Sequence, residues 1–180
     1  MSSTWTRMAR TPSLLEHLDL SQSNCLNEVE GYNLKGIVAD KIRNTTDAHL
    51  LSDVDEQLLL NIHFNQRVRI RSIVLHTTDP QKGPKTIKLL VNRTAIAFED
   101  VLDAEEPEVA QVLEVSDDTV KEGQPIELKF VRFQSVNSLH IFVESNHGGG
   151  EQTRIDSIDI FGFPCGATKD LSELKKQQDD

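Results

Sequence analysis

The sequence predicts an all-β protein, an antiparallel β-sandwich or jelly roll, and three observations support this fold class. About eight short segments alternate apolar with polar residues, which is the period of a strand with one buried face. Turn-forming residues separate these segments at short intervals, as in residues 78–84. The long helical patterns that a parallel α/β fold needs between its strands are not seen.

The N-terminal third has the weakest pattern. Residues 1–12 are polar and without periodicity, so a disordered lead is predicted. Ser13 and Glu16 have the spacing of a capping box, which predicts a short helix with its N-cap at Ser13. This helix would bury Leu14, Leu15 and Leu18. Residues 21–56 show no sustained period, and a long, partly ordered connection is predicted there.

Strand patterns fill the rest of the chain. They lie at residues 58–64, 68–75, 87–91, 95–98, 109–115, 126–133, 139–144 and 158–160. Asn65 and Gln66 predict a turn between the first two segments, and a change of phase near Ser72 predicts a bulge. In the sixth segment Phe130 is predicted to face the same way as Leu128.

The last two strand segments are joined by a loop with three consecutive glycines, residues 148–150. In the first of the two, Leu139, Ile141 and Val143 predict one well-buried face. After residue 162 the strand pattern fades, residues 170–176 are compatible with one or two helical turns, and the end is a polar tail. Short helices are therefore expected near both termini.

The charge balance narrows the class of partner. There are 19 basic and 29 acidic residues, a formal net charge of −10, and residues 103–108 form an acidic loop. Such a surface repels phosphate backbones, so nucleic acid is not an expected partner, whereas a partner with basic patches is. The first residues lack the apolar region of a secretory signal, and no apolar run approaches the roughly 20 residues of a membrane span. We therefore expect a protein of the cell interior with no membrane partner.

The residues offer no catalytic constellation. Cys25 and Cys165 are far apart in sequence and neither belongs to a Cys-x-x-Cys pair, so two free thiols are expected. His63, His76 and His140 lie on predicted strands without the spacing of a zinc site. No serine has the Gly-x-Ser-x-Gly context of a hydrolase nucleophile. We expect no enzyme activity, no metal and no cofactor.

A series of short motifs adds a more specific signal. The motifs are Cys25-Leu26-Asn27-Glu28, Ser52-Asp53-Val54-Asp55-Glu56-Gln57-Leu58-Leu59, Phe64-Asn65-Gln66, Gly83-Pro84-Lys85, Phe133-Gln134-Ser135-Val136-Asn137-Ser138, Phe142-Val143-Glu144-Ser145-Asn146 and Thr153-Arg154-Ile155. In this order they resemble the PITH domain family over residues 13–165, with residues 1–12 as a lead and 166–180 as a tail. Each motif is weakly specific alone, and the ordered set is specific.

The resemblance implies a jelly roll similar to galactose-binding-like domains. It also implies a non-enzymatic interaction module that docks on the 26S proteasome, through the regulatory particle, in the cytoplasm and nucleus. The thioredoxin domain that some family members carry is not matched in these 180 residues, so no redox role is expected. Nothing in the pattern suggests a coiled coil or an obligate partner helix, and a monomer is expected.

Five polar residues of the matched motifs lie near predicted turns, where binding loops are commonly presented. They are Asn65, Gln66, Lys85, Asn137 and Asn146, and they are the candidate protein-binding residues. The alternative for each is a side chain that stabilises its own turn, a common role of Asn. The alternative function is a small-ligand or carbohydrate-binding jelly-roll domain.

Overall fold

The computed structural model describes residues 11–94 and 96–166, and antiparallel strands account for most of its regular structure. The strands are β1 (Asn24–Leu26), β2 (Leu50–Leu51), β3 (Leu58–His76), β4 (Thr86–Val91), β5 (Gln111–Glu114), β6 (Ile126–Glu127), β7 (Val136–Val143), β8 (Arg154–Ile155) and β9 (Ser157–Pro164). The helices are α1 (Leu34–Val38), α2 (Phe98–Val101) and α3 (Asp117–Glu122), with 3₁₀ turns at Leu15–His17, Pro80–Lys82 and Phe130–Arg132. The predicted fold class is confirmed.

Strand β3, with 19 residues, connects the two halves of the sandwich. Its first half lies between β1 and β7, in a sheet of order β1-β3-β7-β4-β5, and its second half lies between β9 and β6. The register shifts between His63 and Val68 and again between Ile70 and Ser72. The predicted bulge near Ser72 is therefore confirmed. The predicted turn at Asn65 and Gln66 is wrong, because the strand bends there without reversing its direction.

The core lies between these two halves. Its inward-facing residues, each at most 1% exposed, include Leu58, Leu60 and Ile62 of β3, Leu139, Ile141 and Val143 of β7, and Ile158 and Ile160 of β9. These are the alternate positions that the sequence pattern selects, because side chains two residues apart on a strand share a face. A second, smaller sheet consists of two strands, β2 paired antiparallel with β8.

The N-terminal segment packs on this core differently from the prediction. Leu14, Leu15 and Leu18 are buried as expected. The capping box is wrong: the helix is a single 3₁₀ turn, and its N-cap residue makes no side-chain capping bond. Ser13 Oγ instead accepts a hydrogen bond from Leu15 N at 3.2 Å and donates one to Asp159 Oδ1 at 2.6 Å, which ties the segment to β9.

The connection of residues 21–56 is more ordered than predicted. It contains β1, which pairs with β3, and β2, which pairs with β8. Helix α1 begins after Asn33, whose side chain accepts a hydrogen bond from Gly36 N at 2.8 Å, a capping contact that stabilises its first turn. The helical turns predicted at residues 170–176 lie outside the described residues.

Two predicted strands are replaced by other structure. In the segment 95–98, Ala95 lies outside the described residues and Phe98 begins helix α2. In the segment 126–133, strand β6 ends at Glu127 and a 3₁₀ turn follows, which leaves Phe130 50% exposed.

Helix α2 and the loop after it cover the outer face of the first sheet. A second apolar cluster forms there from Leu59, Leu90, Val101, Ala104, Val109 and Phe142. Strand β7 is therefore buried on both faces, and the prediction of one buried face is too narrow for this strand.

Candidate functional site

Three of the five candidate residues lie at one end of the sandwich. Asn65 and Gln66 occupy the bend of β3, and Asn137 lies at the start of β7 directly across from that bend, because the β3–β7 register resumes at the Val68–Val136 pair. All three are exposed. Gln66 Nε2 lies 3.0 Å from Nδ1 of His17, and the backbone N–H of Asn137 donates to Asn92 Oδ1 at 2.7 Å. Two motifs far apart in sequence thus present one polar surface.

The other two candidates lie at the opposite end. Pro84 bridges to Asn146, so Lys85 is close to that end of β7. Val143 lies six positions after Asn137 in β7, which at about 3.3 Å per residue puts the two ends about 20 Å apart. The five candidates therefore do not form one site.

Asn146 is engaged within its own loop. It is 5% exposed, and its Nδ2 donates to the carbonyl oxygens of Gly150 and Gln152 at 3.1 and 3.0 Å. Its Oδ1 accepts from Gly149 N at 2.8 Å, at a residue whose φ of +74° suits glycine. These contacts are those of a turn-stabilising side chain, the alternative considered for this residue.

The acidic loop of residues 103–108 is fixed by basic side chains. Lys129 Nζ lies 3.1 Å from Glu106 Oε1, and the hydrogen bond from Lys129, followed by that from Val112 N–H, lowers the pKa of Glu106. Arg132 and Arg93 donate to the carbonyl oxygens of Pro107 and Glu108 at 2.9 and 3.0 Å. Their guanidinium groups are therefore held against the loop.

A polar pocket of about 290 Å³ lies on the outer face of the first sheet, beside α2. Its lining includes Gln22, Asn24, Asn61, His63, Thr94 and His140. Asn24, Asn61 and His140 are neighbours across β1, β3 and β7. Asn61 Nδ2 donates to Asn24 Oδ1 at 2.9 Å, and Asn61 Oδ1 lies 2.6 Å from Nδ1 of His140. A chain of hydrogen bonds thus runs from the pocket surface to a buried imidazole.

The contacts of His140 fix its protonation. The N–H of Arg93 donates to Nε2 at 3.3 Å, so this nitrogen is an acceptor and the proton lies on Nδ1, where it is donated to Asn61. Burial, and then the neighbouring His63, lower the pKa of His140 to about 4. The imidazole is neutral at pH 7. Because Asn61 and Arg93 occupy both of its nitrogens, its role in this arrangement is to order the pocket wall.

The two cysteines are not bonded to each other, and one of them is buried. Cys25 and Cys165 are both free, and burial raises the pKa of the Cys25 thiol, which favours the unreactive protonated form. Among the described residues no three His, Cys, Asp or Glu side chains converge as a metal site would require. No helix in the described ranges has the length and apolarity of a membrane span.

Comparison with known proteins tests the family resemblance that the ordered motifs carry. The model of the PITH domain family matches residues 6–180. The chain belongs to the PITH domain family. It is 40% identical over 176 residues to thioredoxin-like protein 1 of Schizosaccharomyces pombe, with 92% of this chain and 55% of that protein covered. It is 32% identical over 150 residues to PITH domain-containing protein 1 of Xenopus laevis, with 83% and 69% covered. The PITH chain thus spans only about half of its fission yeast relative.

Solved structures with the same fold include carbohydrate-binding modules. A structure of the CBM32-1 and CBM32-2 domains of Clostridium perfringens ZmpB in complex with GalNAc has a TM-score of 0.62, 8% identity, and coverage of 90% of this chain and 38% of that one. The CBM32-5 module of CpGH89 from the same organism, in complex with GalNAc-β-1,3-galactose, has a TM-score of 0.57 and 7% identity, with 84% and 100% covered. At these identities the likeness shows the fold alone, and it agrees with the galactose-binding-like jelly roll implied for a PITH domain.

The pocket was not among the sequence-based candidates. Its signal in the sequence is weak: Asn61 and His140 occupy the same face of their strands as Leu59 and Phe142, so they are polar positions on an otherwise apolar outer face. Recognising this needs the register between β3 and β7, which the alternation within either strand does not supply.

Proposed function

We propose that this PITH domain is a non-catalytic interaction module that docks on the regulatory particle of the 26S proteasome, in the cytoplasm and nucleus. The observation that supports it most is the meeting of two family motifs at one end of the sandwich. Their aromatic members, Phe64 and Phe133, are buried, while Asn65, Gln66 and Asn137 are exposed. Buried residues of a motif maintain the fold, and its exposed polar residues are accessible to a partner.

Co-sedimentation with purified 26S proteasome tests this proposal, at low and at moderate salt. The wild-type chain is expected to co-migrate in a saturable manner. The triple variant Asn65→Ala/Gln66→Ala/Asn137→Ala is expected to bind about tenfold more weakly or worse, since the loss of a single energetically dominant interface residue costs about 2 kcal/mol or more and about 1.4 kcal/mol is tenfold in affinity. The affected side chains are exposed, so the urea midpoint of the variant should stay close to that of the wild type.

Lys85→Ala is the matched control, because Lys85 belongs to a family motif and is exposed but lies at the opposite end. Its affinity should stay within about twofold of the wild type. An equal loss in Lys85→Ala would move the interface to that end. If the wild type does not co-migrate at either salt concentration, the docking function is wrong and the family relationship accounts only for the fold of this chain.

A second candidate function, binding of a small neutral ligand such as a sugar, is favoured by the pocket. Its described lining consists of amide, imidazole and hydroxyl groups with Leu26 and Ile96, and none of these lining residues carries a carboxylate or guanidinium. The backbone N–H of the half-buried His63 donates to Ser23 Oγ at 3.0 Å, whereas its ring has no hydrogen bond to any described residue, so the ring nitrogens are open to a ligand.

Saturation-transfer NMR with galactose and N-acetylgalactosamine tests the second candidate. A signal in the wild type should disappear in Asn24→Ala/His63→Ala and persist in Asn65→Ala, which lies outside the pocket. No transfer at millimolar sugar, or transfer that survives Asn24→Ala/His63→Ala, would remove the pocket as a sugar site.

A further inference from the structure

Three arginines mark the second half of β3. Arg67, Arg69 and Arg71 alternate with the inward-facing Val68 and Ile70, both of which are fully buried. The alternation directs the three arginines to the outer face of the sandwich, because successive side chains of a strand point to opposite sides. Arg67 and Arg71 are exposed, and Arg69 is half-buried.

None of these three arginines forms an ion pair with any described residue. The basic residues that do are His17, Arg43, Lys88, Lys129 and Arg154. Glu127, on the neighbouring strand β6, is exposed and lies opposite Ser72 without pairing to them. Arg69 Nε is buried and has no hydrogen-bond acceptor among the described groups. Although the chain has 29 acidic residues, no carboxylate in the described ranges pairs with this group of cations.

Exposed apolar side chains flank the arginines. Phe163 is 36% exposed and lies opposite Arg69 in the β3–β9 register. On the other side Phe130 is 50% and Val131 66% exposed, and the guanidinium carbon of Arg71 lies 5.6 Å from the centre of the Phe130 ring. We call the set Arg67, Arg69, Arg71, Phe130, Val131 and Phe163 the arginine–phenylalanine surface.

We propose that the arginine–phenylalanine surface binds an acidic segment of a partner protein that also carries apolar side chains. Guanidinium groups bind carboxylates in two-pronged hydrogen bonds, and an unpaired Nε in a buried position gains an acceptor when such a group arrives. Aromatic residues and arginine are enriched at the centres of protein interfaces. The net charge of −10 favours a partner with basic patches, whereas the arginines of this local surface favour a partner segment with negative charge.

This inference rests on the proposed docking function and names the chemistry of the partner. The surface is continuous in sequence with Asn65 and Gln66, since Arg67 follows them directly in β3. A partner that contacts the polar end of the sandwich would therefore reach the arginines along the same strand.

A labelled peptide tests the surface without the proteasome. The probe is the fluorescein-labelled peptide Asp-Glu-Phe-Asp-Glu-Leu-Asp-Glu, measured by fluorescence anisotropy. The variant Arg67→Glu/Arg71→Glu is expected to bind it at least about tenfold more weakly, whereas Lys85→Glu, a single charge reversal at the opposite end, stays within about twofold. Val131→Asp is a second variant, at a residue that is 66% exposed, and it should weaken binding in the same way.

Two further probes test the chemistry. A peptide with Ser in place of Phe and Leu should bind more weakly than the first, and vesicles of phosphatidylcholine with phosphatidylserine should not bind. Equal affinity for both peptides, unchanged affinity in Arg67→Glu/Arg71→Glu, or vesicle binding without peptide binding would each overturn the proposal.

Co-sedimentation with the proteasome separates this inference from the proposed function. If the variant Arg67→Glu/Arg71→Glu loses both the peptide and the proteasome, both proposals are supported. If the peptide binds at the surface but the wild type does not co-migrate, the docking function fails and the surface chemistry stands. If the wild type and the variant co-migrate equally, the inference fails and the docking function stands.

Discussion

Phe142→Ala is expected to lower the free energy of unfolding by about 3–5 kcal/mol, the range for removing a large aromatic side chain from a core. Phe142 is fully buried on the outer face of β7, opposite Leu59 of β3 and Lys88 of β4. Its ring contacts that of Phe98 in helix α2 edge to face, with centroids 6.0 Å apart. The substitution therefore removes the contact that joins the sheet to the segment covering it.

Urea unfolding followed by circular dichroism measures this effect. Phe130→Ala is the matched control, because the same side chain is removed from a position that is 50% exposed, and it should change stability by less than about 1 kcal/mol. If both variants lost a similar free energy of unfolding, the second apolar cluster would not be a distinct packing unit.

The same variant should loosen one region more than the others. The N–H groups of Leu102 and Val109 donate within the covering segment, to Phe98 O and Glu105 O, both at 3.0 Å. In Phe142→Ala their hydrogen exchange should accelerate more than that of amides in β9. Uniform acceleration throughout the chain would mean that the covering segment unfolds together with the core.

The strands could be predicted from the sequence because burial on one face imposes a period of two. Leu58, Leu60 and Ile62 illustrate this, and their neighbours on β7 follow the same rule. The bend of β3 could not be predicted, because Asn65 and Gln66 have turn propensity whether the chain reverses or continues. Pairing with β7 before the bend and with β9 after it decides between the two.

Segments whose structure depends on distant contacts were the least predictable. Phe130 has the strand phase of Leu128, yet the 3₁₀ turn turns it outward, beside Arg71. Helix α3 was not predicted either, although its caps are local: Ser116 accepts from Thr119 N at 3.2 Å and Gly123 adopts a φ of +66°.

The candidate site was predictable in part, for the same reason. The family motifs identify residues but not which of them share a surface, and the structure separates Asn65, Gln66 and Asn137 from Lys85 and Asn146. The arginine–phenylalanine surface escaped the sequence argument because net charge averages over the whole molecule. Only the packing of β3 between β6 and β9 places unpaired arginines beside exposed phenylalanines.

Acidification from pH 7 to pH 4 is expected to destabilise the fold through His140. The folded-state pKa of about 4 lies below the ordinary value of 6.5, so the unfolded chain binds this proton more readily than the folded one. The stability that the neutral imidazole contributes is fully present above pH 6.5 and is lost as the pH falls toward 4. The difference between the two pKa values corresponds to about 3 kcal/mol.

The structural cause of this loss is first the burial of the imidazole and then the neighbouring His63. A proton added to the ring would place a charge in a side chain that is only 1% exposed. His140→Gln removes the titrating group but keeps the carboxylates, so it isolates the contribution of this residue. Between pH 7 and 4 the wild type should lose about 3 kcal/mol more than His140→Gln. Parallel pH profiles of the two proteins, or an NMR titration of His140 near pH 6.5, would show that the imidazole is not held neutral by its burial.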